Sequence, residues 1–509
     1  MNKEYKKADE RISPDILKPF LEKAAEYLWG HVDAATYKDY IFPLMFFKRI
    51  SDVYDEQIEG FVAEGGAEYA GIQANELTIK IPEGQHWSDV RKVTENVGQR
   101  LVEAFIAIEQ ANPGEVRDGR IIGGLNGIFG SKGIWTNKNI LPDHRITSLI
   151  EHFSKYKLNL TTCPADEMGM AYEILLGKFA DDAGNTAQEF YTNRTVVTLM
   201  AEILQPQSGE SIYDPTCGSG GMLVKCLDYL REKGEPWQDV KVFGQEIKPE
   251  TAAIARMNLY LNGVEDFSIV SGDTITTPAF IDGSYIRKFN LVLANPPYSI
   301  KEWKREAFEH DKWGRNMYGT PPQGRADYAF IQHIIASMDD ADGRAAILLP
   351  HGILFRSEES DVRQKMVEAD VVEAVIGLGP NLFFNSPMEA CVLICNKNKP
   401  QSLKGKIVFI NAKNEVTRKN AESFLEDVHI SKIVSAYRMH ADITDFCRVV
   451  PLSEIQGNNY DLSIQKYVFI NDVTDPNEAI SVECAYTEWK NCKSQLNNEM
   501  VSLLNLIES

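Results

Sequence analysis

In the first third of the chain, apolar residues recur every three or four positions, which is the period of an amphipathic helix. Stretches with this period cover residues 14–31, 34–57, 88–112 and 148–156. Glycine-rich connectors at residues 65–71 and 119–133 separate some of them. The pattern predicts an N-terminal α-helical domain over residues 1–160.

After residue 165 the pattern changes to short apolar runs of strand length, most of them separated by helical stretches. The runs lie at residues 211–214, 240–246, 267–272, 291–294, 345–350, 371–377 and 390–396. Strands that alternate with helices are typical of a doubly wound α/β sheet with helices on both faces. We predict a Rossmann-like, seven-stranded domain over residues 161–475 that ends in a hairpin. Residues 476–509 predict an amphipathic helical tail that caps the domain or docks a partner.

The formal net charge of −20 restricts how this chain can meet a polyanion. A protein that grips DNA by itself usually carries a basic surface, because cationic side chains release counterions from the phosphates. Tight, autonomous DNA binding is therefore not expected, although DNA remains possible as a substrate if a local basic patch or a partner subunit supplies the affinity.

The chain has eight cysteines without a CxxC pair, and its nine histidines lack metal-ligand spacing. We therefore expect no disulfide and no metal site. Apolar runs of membrane-spanning length are absent, and the charged start lacks the apolar core of a signal peptide. These features predict a cytoplasmic protein without a membrane partner.

A glycine-rich turn follows the first predicted strand, in a DPTCGSGG segment over residues 214–221. Its candidate ligand-binding residues are Asp214, Gly218, Ser219, Gly220 and Gly221. The glycines permit a tight turn and close approach of a ligand at the carboxyl edge of a parallel sheet. A dinucleotide enzyme is the competing interpretation. However, the Asp214 carboxylate would repel a pyrophosphate and accommodate the ammonium group of a methionine moiety.

Two more carboxylates follow the next strands in order. Glu246 ends the second strand, where it can accept hydrogen bonds from a ribose diol, and Asp273 follows the third, within reach of an adenine amino group. Each of them alone is commonly a solvated loop residue. Together with Asp214, at three successive strand ends, they predict a site for S-adenosylmethionine.

The fourth strand ends in an Asn-Pro-Pro-Tyr motif formed by Asn295, Pro296, Pro297 and Tyr298. An exocyclic amino nitrogen on a nucleobase is a poor nucleophile, and two acceptors on its N–H groups localise its lone pair. The Asn295 side-chain oxygen and the Pro296 carbonyl suit this task, and the prolines fix the backbone. Tyr298 offers a stacking face for a base flipped out of a duplex. The motif predicts direct methyl transfer that is driven by positioning.

The glycine-rich turn precedes the Asn-Pro-Pro-Tyr motif in the chain. With this order of motifs, the sequence resembles the DNA amino-methyltransferases. Asn295 instead of serine favours adenine N6 over cytosine N4. Further segments narrow the resemblance to the modification subunits of type I restriction–modification systems, called HsdM. These segments lie at residues 33–41, 46–52, 170–176, 189–194, 327–333, 345–352 and 458–467. The resemblance covers residues 15 to 470. Lys466 departs mildly from it, because the family usually has arginine there.

In that family the segment over residues 189–194 crosses over the cofactor. The resemblance therefore adds six cofactor-binding candidates: Glu189, Phe190, Tyr191, Thr192, Asn193 and Arg194. Asn193 departs from the family, which usually has proline there, and this puts the rigidity of the segment in doubt. Phe190 and Tyr191 also fit a second interpretation, as core aromatics.

The resemblance implies an adenine N6 methyltransferase that uses S-adenosylmethionine and acts on double-stranded DNA. It implies assembly with a specificity subunit and a second modification subunit, to which restriction subunits can be added. The helical domain then either clamps DNA, docks a partner or is purely structural. The alternatives are cytosine N4 methylation, methylation of a substrate other than DNA, and an inactive scaffold.

Residues 301–325, directly after the Asn-Pro-Pro-Tyr motif, are locally basic and contain Trp303, Trp313 and Tyr318. This composition predicts a mobile loop that orders around the flipped base and the DNA backbone. An ordinary surface loop is the alternative.

Overall fold

The computed structural model describes residues 11–12, 14–117, 120–182, 192–382, 389–419, 422–469, 490 and 493. Within the described residues, the chain up to Val468 forms one compact unit. Apart from Lys490 and Lys493, the predicted C-terminal tail lies outside the described residues. The candidates Glu189, Phe190 and Tyr191 also lie outside them.

Helices dominate the described residues up to 182, as predicted. Their bounds are α1 (Pro14–Lys23), α2 (Tyr37–Gln73), α3 (Trp87–Arg91), α4 (Val97–Ala111), α5 (Gly133–Thr136), α6 (Asp143–Phe153) and α7 (Ala165–Asp182). The helix predicted for residues 34–57 continues through the first glycine connector, but Gly66 breaks it with a φ of 81°. The stretch predicted as one helix over residues 88–112 is two helices, because Asn96 takes a left-handed conformation between them.

Aromatic packing stabilises this helical region. Phe105 and Phe129 stack with their ring centroids 4.2 Å apart, and Trp135 packs against Phe105. The same apolar cluster includes Tyr172 of α7, and also Met257 of the helix that follows the second strand of the large sheet. The helical region and the sheet region therefore share one buried core.

A polar clamp joins α2 to the chain that leads into the sheet region. The buried Arg49 guanidinium donates to the carbonyls of Leu158, Asn159 and Cys163 at distances of 2.6 to 2.8 Å. The Asp52 carboxylate accepts from the backbone N–H of Leu158 at 2.6 Å. This clamp gives the family-like segment over residues 46–52 a structural role.

The central sheet has nine strands in the described residues. They are β1 (Ser211–Asp214), β2 (Lys241–Glu246), β3 (Phe267–Ser271), β4 (Leu291–Ala294), β5 (Arg344–Pro350), β6 (Val372–Leu378), β7 (Ala390–Asn396), β8 (Lys406–Ala412) and β9 (Cys447–Pro451). All seven predicted strands are present. The last two, β8 and β9, extend the sheet beyond the prediction. Short hairpins pair Glu115–Arg117 with Arg120–Ile122, Ile281–Asp282 with Tyr285–Ile286, and Thr417–Lys419 with Glu422–Phe424.

The strand order across the sheet is β9-β8-β6-β7-β5-β4-β1-β2-β3. Strands β1 to β5 are parallel to their neighbours within this group, whereas β7 pairs antiparallel with both β5 and β6 in the predicted hairpin. The strand order reverses direction between β1 and β4. In open α/β sheets, ligands bind at the carboxyl edge beside such a reversal.

Alternate residues of the strands supply two core layers, one on each face of the sheet. Ile212 and Val242 face one layer, while their neighbours Tyr213 and Phe243 face the other. The flanking helices are α8 (Arg194–Leu204), α9 (Gly221–Glu232), α10 (Pro249–Leu261), α11 (Arg305–Glu309), α12 (Asp327–Ser337), α13 (Ser360–Glu368), α14 (Asp427–Met439) and α15 (Leu452–Gly457). None of the described helices has the length and apolar character that crossing a membrane requires.

Candidate active site

A cavity of about 1130 Å³ opens at the carboxyl edge of β1, β2, β3 and β4. Among the described candidates, all except Gly220 line it. These lining residues are Thr192, Asn193, Arg194, Asp214, Gly218, Ser219, Gly221, Glu246, Asp273, Asn295, Pro296, Pro297 and Tyr298. Pockets for small ligands typically occupy about 300–1,000 Å³. This cavity therefore has room for a cofactor and part of a second ligand.

The glycine-rich turn forms because two of its glycines take positive φ angles, 51° at Gly218 and 79° at Gly220. Gly220 caps α9, and a Cβ there would contact Ala255 of α10 at 3.4 Å. The role of Gly220 is thus to close the turn against α10. The buried Asn258 side chain supports the same turn by donating to the Ser219 carbonyl at 3.0 Å.

The three predicted carboxylates lie on the wall of this one cavity. Asp214 is almost fully buried, and it accepts from the backbone N–H of Thr216 at 2.9 Å. Burial raises the pKa of Asp214 to about 7, with a further contribution from the charge of Glu246, whereas the Thr216 hydrogen bond lowers it. Near neutral pH this carboxyl is therefore present in both the protonated and the ionised form, and a cation beside it would favour the ionised form.

Three backbone N–H groups and one hydroxyl donate to the other two carboxylates. Glu246 accepts from the N–H groups of Gly218 at 3.1 Å and Lys248 at 3.0 Å. Asp273 accepts from the N–H of Ile275 at 2.9 Å and from the hydroxyl of Thr276 at 2.9 Å. Both side chains are therefore held in place at the cavity wall before any ligand arrives.

This set of groups fits S-adenosylmethionine. Its ammonium, ribose diol and adenine amino group are donors, and the cavity offers a buried acidic group and two fixed carboxylates as acceptors. A pyrophosphate would meet like charge at the same wall.

In the Asn-Pro-Pro-Tyr motif, the Asn295 side chain has a hydrogen bond at each end. Its Nδ2 donates to Thr192 Oγ1 at 2.9 Å, and its Oδ1 accepts from the Tyr298 hydroxyl. The first contact joins the segment before α8 to the motif after β4, across 103 positions of sequence. The second means that the oxygen predicted to accept from a nucleobase is already satisfied inside the protein.

The remaining described residues of the crossing segment have identifiable partners. Asn193 caps α8 by accepting from the Thr195 N–H at 3.1 Å, and it donates to the Ser423 carbonyl at 2.9 Å. Asparagine is a favoured capping residue, which accounts for the departure from the proline of the family. Arg194 forms an ion pair of 3.0 Å with Glu173 of α7. Burial raises the pKa of Glu173, and the charge of Arg194 opposes this rise.

Several cavity residues were missed by the sequence reasoning: Glu173, Lys225, Lys248, Asn258, Thr274 and Phe330. Glu173 and Asn258 are buried polar residues within apolar helical stretches. A polar residue on an otherwise apolar helix face is a usable signal for a site, although a weak one.

Residues 301–325, which are predicted to form a mobile loop, include the short helix α11 and are anchored by a buried arginine, while most of the segment is exposed or half-buried. Arg315 is fully buried, and its guanidinium donates to the carbonyls of Thr274 at 2.8 Å and Ile275 at 2.6 Å, and to Asp311 at 2.9 Å. These contacts tie the segment to the turn that carries Asp273. Trp303, at the cavity wall, donates to the Gln323 carbonyl at 2.9 Å.

Known protein families match both the helical region and the sheet region of this chain. The family described as N-6 DNA methylase matches residues 164–475. The chain belongs to this family. The HsdM N-terminal domain matches residues 17–153, so both parts of the predicted resemblance to type I modification subunits are confirmed.

Curated relatives agree with this assignment. The chain is 32% identical over 487 residues to the type I restriction enzyme MjaVIII methylase subunit of Methanocaldococcus jannaschii, covering 90% of this chain and 79% of the relative. It is 30% identical to the type I restriction enzyme HindI methylase subunit of Haemophilus influenzae, covering 76% of this chain and 85% of the relative.

A solved structure also resembles this chain over most of its length. The type I restriction–modification system methyltransferase subunit from Streptococcus thermophilus shares 28% identity with this chain, and the two structures superpose with a TM-score of 0.76. The match covers 90% of this chain and 100% of that one. The predicted α/β methyltransferase fold with an N-terminal helical region is thereby confirmed. The predicted activity, an N6-adenine DNA methyltransferase, agrees with the family, and cytosine N4 methylation is not favoured.

Proposed function

We propose that this chain is the modification subunit of a type I restriction–modification complex and methylates adenine N6 in double-stranded DNA. The proposal rests on one observation: two sets of groups line the same cavity. The first set is the three carboxylates at the ends of β1, β2 and β3, and the second is the Asn295 amide, which donates to Thr192. The first set suits S-adenosylmethionine, and the second suits an amino group.

In this proposal the carboxylates hold the cofactor. Asp214 faces the ammonium of its methionine part, Glu246 accepts from the ribose hydroxyls, and Asp273 accepts from the adenine amino group. The turn over residues 218–221 supplies close backbone approach, and Thr192 to Arg194 belong to the segment that crosses over it. S-adenosylmethionine supplies an activated methyl group when bound.

The Asn-Pro-Pro-Tyr motif orients the target base. Asn295 Oδ1 and the Pro296 carbonyl accept from the two N–H groups of the adenine amino nitrogen, which directs its lone pair outward. Tyr298 stacks on the flipped ring, and Pro297 stiffens the backbone between them. The Thr192 contact fixes the Nδ2 end of the Asn295 amide, so the Oδ1 end exchanges the Tyr298 hydroxyl for the amino group of the base.

The formal net charge of −20 supports recognition of the DNA by a partner subunit. We propose that a specificity subunit binds the target sequence, that a second copy of this chain completes the methyltransferase, and that restriction subunits can join. The relatives are named as methylase subunits of restriction enzymes, which supports a place in a multisubunit enzyme. The described cysteines are buried thiols, which supports a cytoplasmic location.

The proposal is tested by incubating the full chain with its specificity subunit, duplex DNA containing the target and labelled S-adenosylmethionine. We expect label on adenine N6, identified by nucleoside analysis, and only in the presence of both subunits. Label on cytosine, on protein or on no acceptor at all would contradict the proposal. Methylation-sensitive sequencing of host DNA with and without the gene identifies the target beforehand.

A further inference from the structure

Ser299, the residue directly after the Asn-Pro-Pro-Tyr motif, has a left-handed backbone conformation with a φ of 51°. Residues with a Cβ rarely adopt this conformation, because the side chain crowds the following carbonyl. Such a residue persists where surrounding contacts hold it, and these residues cluster at functional sites. The contacts around Ser299 therefore bear on how the motif is held.

Asp327 and Arg356 supply these contacts. The Asp327 side chain lies at the start of α12 and is 1% exposed. Its Oδ1 accepts from the backbone N–H of Ser299 at 3.1 Å, and its Oδ2 accepts from Arg356 Nη1 at 3.3 Å. The Arg356 Nη2 lies 3.4 Å from the Ser299 hydroxyl oxygen. One buried carboxylate and one guanidinium thus grip both the backbone and the side chain of Ser299.

Gly352 gives Arg356 the space to fold back into this position. A Cβ at Gly352 would lie 2.5 Å from two guanidinium nitrogens of Arg356. The buried Glu359 carboxylate lies 3.5 Å from Arg356 Nη1. The guanidinium therefore has two buried carboxylates as neighbours, those of Asp327 and Glu359.

We propose that Asp327 and Arg356 are positioning residues for methyl transfer, acting through Ser299 to hold the preceding motif in its reactive orientation. The inference rests on the proposed function. Asp327 and Arg356 do not line the cavity, whereas Asn295 and Tyr298 do. The pair therefore acts on the backbone that leaves the motif, and the base and the cofactor are contacted by other residues.

The first test measures single-turnover methylation by the full chain assembled with its specificity subunit, together with the affinity for S-adenosylmethionine and the melting temperature. Asp327→Ala and Arg356→Ala should slow methyl transfer about 100-fold, the order expected for small misplacement of reacting groups. Cofactor affinity should stay within about twofold, because the carboxylates that contact it are unchanged. The exposed residue Asp361 on α13 provides a matched control as Asp361→Ala, which should retain the wild-type rate.

Gly352→Ala keeps both charged side chains and displaces only the guanidinium, so it tests the same contact if Asp327→Ala fails to fold. We expect it to slow methyl transfer as Arg356→Ala does. A wild-type rate in Gly352→Ala, combined with a wild-type rate in Arg356→Ala, would overturn the inference.

A rescue experiment separates positioning from general stability. Glycine adopts the left-handed conformation at little cost, so Ser299→Gly reduces the need for the clamp. The double variant Ser299→Gly with Asp327→Ala should recover at least about tenfold of the lost rate. No recovery, with cofactor affinity and melting temperature falling in parallel, would assign Asp327 a purely structural role. If the wild-type complex methylates adenine and Asp327→Ala reacts equally fast, only this inference fails and the proposed function stands.

Discussion

We expect the affinity of the chain for S-adenosylmethionine to rise with pH between about 6 and 7.5, because Asp214 ionises in this range. Burial raises the pKa of Asp214 to about 7, with a smaller contribution from the charge of Glu246. If only the ionised carboxylate binds the methionine ammonium, the apparent affinity scales with the ionised fraction. The direction follows: the protonated, weakly binding form predominates below the pKa.

The magnitude follows from the same pKa. The ionised fraction of a group with a pKa of about 7 is roughly 0.1 at pH 6 and roughly 0.75 at pH 7.5, so the affinity should increase about eightfold. This factor corresponds to about 1.3 kcal/mol of binding free energy. The amino group of the cofactor, with a pKa of about 8, begins to lose its proton below pH 7.5, which reduces the increase to about sixfold and sets the upper end of the useful range.

Isothermal titration calorimetry of the full chain measures this dependence directly. At pH 6, binding should release about 0.9 protons, read from titrations in two buffers with different ionisation enthalpies. Asp214→Asn keeps an acceptor for the Thr216 N–H but cannot ionise, so its affinity should be lower and nearly independent of pH. Glu246→Gln should weaken binding and move the midpoint to lower pH, because the Glu246 charge contributes to the raised pKa of Asp214.

Two outcomes would refute this reasoning. An affinity that does not change between pH 6 and 7.5 would show that Asp214 does not titrate where its burial places it. An unchanged pH dependence in Asp214→Asn would assign the titrating group elsewhere.

Three further predictions concern individual side chains. Asn295→Ala should keep cofactor binding in calorimetry and lose about 10²- to 10³-fold in single-turnover methylation, because it removes an acceptor aimed at the reacting amino group; a rate near wild type would contradict the role. Tyr298→Phe removes the hydroxyl that donates to Asn295 Oδ1 but keeps the ring, so this variant should methylate at least as fast as wild type. Tyr298→Ala removes the ring and should lose about 1–3 kcal/mol of the free energy of base binding. Equal rates for the two variants would exclude stacking. Burial raises the pKa of Glu359 from 4.5 in the unfolded chain to about 7, so its ionisation should lower the free energy of unfolding as the pH rises from about 5 to 7.5. In urea unfolding, Glu359→Gln should show a smaller loss over this range, and an identical slope would contradict the assignment.

The strand ends of the cofactor site could be predicted from sequence because they depend on local order. A short apolar run ending in a carboxylate identifies one strand and its carboxyl edge, and parallel strands bring such ends together without knowledge of any other contact. Asp214, Glu246 and Asp273 were found in this way, and all three lie on the cavity wall. The edge strand β9 was missed because a short, half-buried strand lacks a distinctive apolar run.

The contacts that orient the catalytic motif could not be predicted, because they join residues far apart in the chain. Thr192 meets Asn295 across 103 positions, and Arg356 meets Ser299 across 57. Nor does the sequence reveal that Ser299 is left-handed, since serine carries no preference for that conformation. The anchoring of residues 301–325 is not predictable for a related reason. The basic residues indicate a solvated loop, but the Arg315 guanidinium donates to backbone carbonyls and a carboxylate in the interior.

The internal hydrogen bond between Tyr298 and Asn295 also bears on how a base is accepted. The Asn295 amide is half-buried, and the Tyr298 hydroxyl supplies a hydrogen-bond donor to its oxygen in the absence of DNA. An incoming base with an exocyclic amino group exchanges one donor on Asn295 for another, so its entry is nearly balanced. A flipped thymine has no exocyclic amino group. It would either leave the Tyr298 hydroxyl bound to Asn295 or leave the amide oxygen without that hydrogen bond. Under the proposed function, we therefore expect the motif to disfavour bases without an amino group before any chemistry begins, through the same two side chains that would orient the adenine.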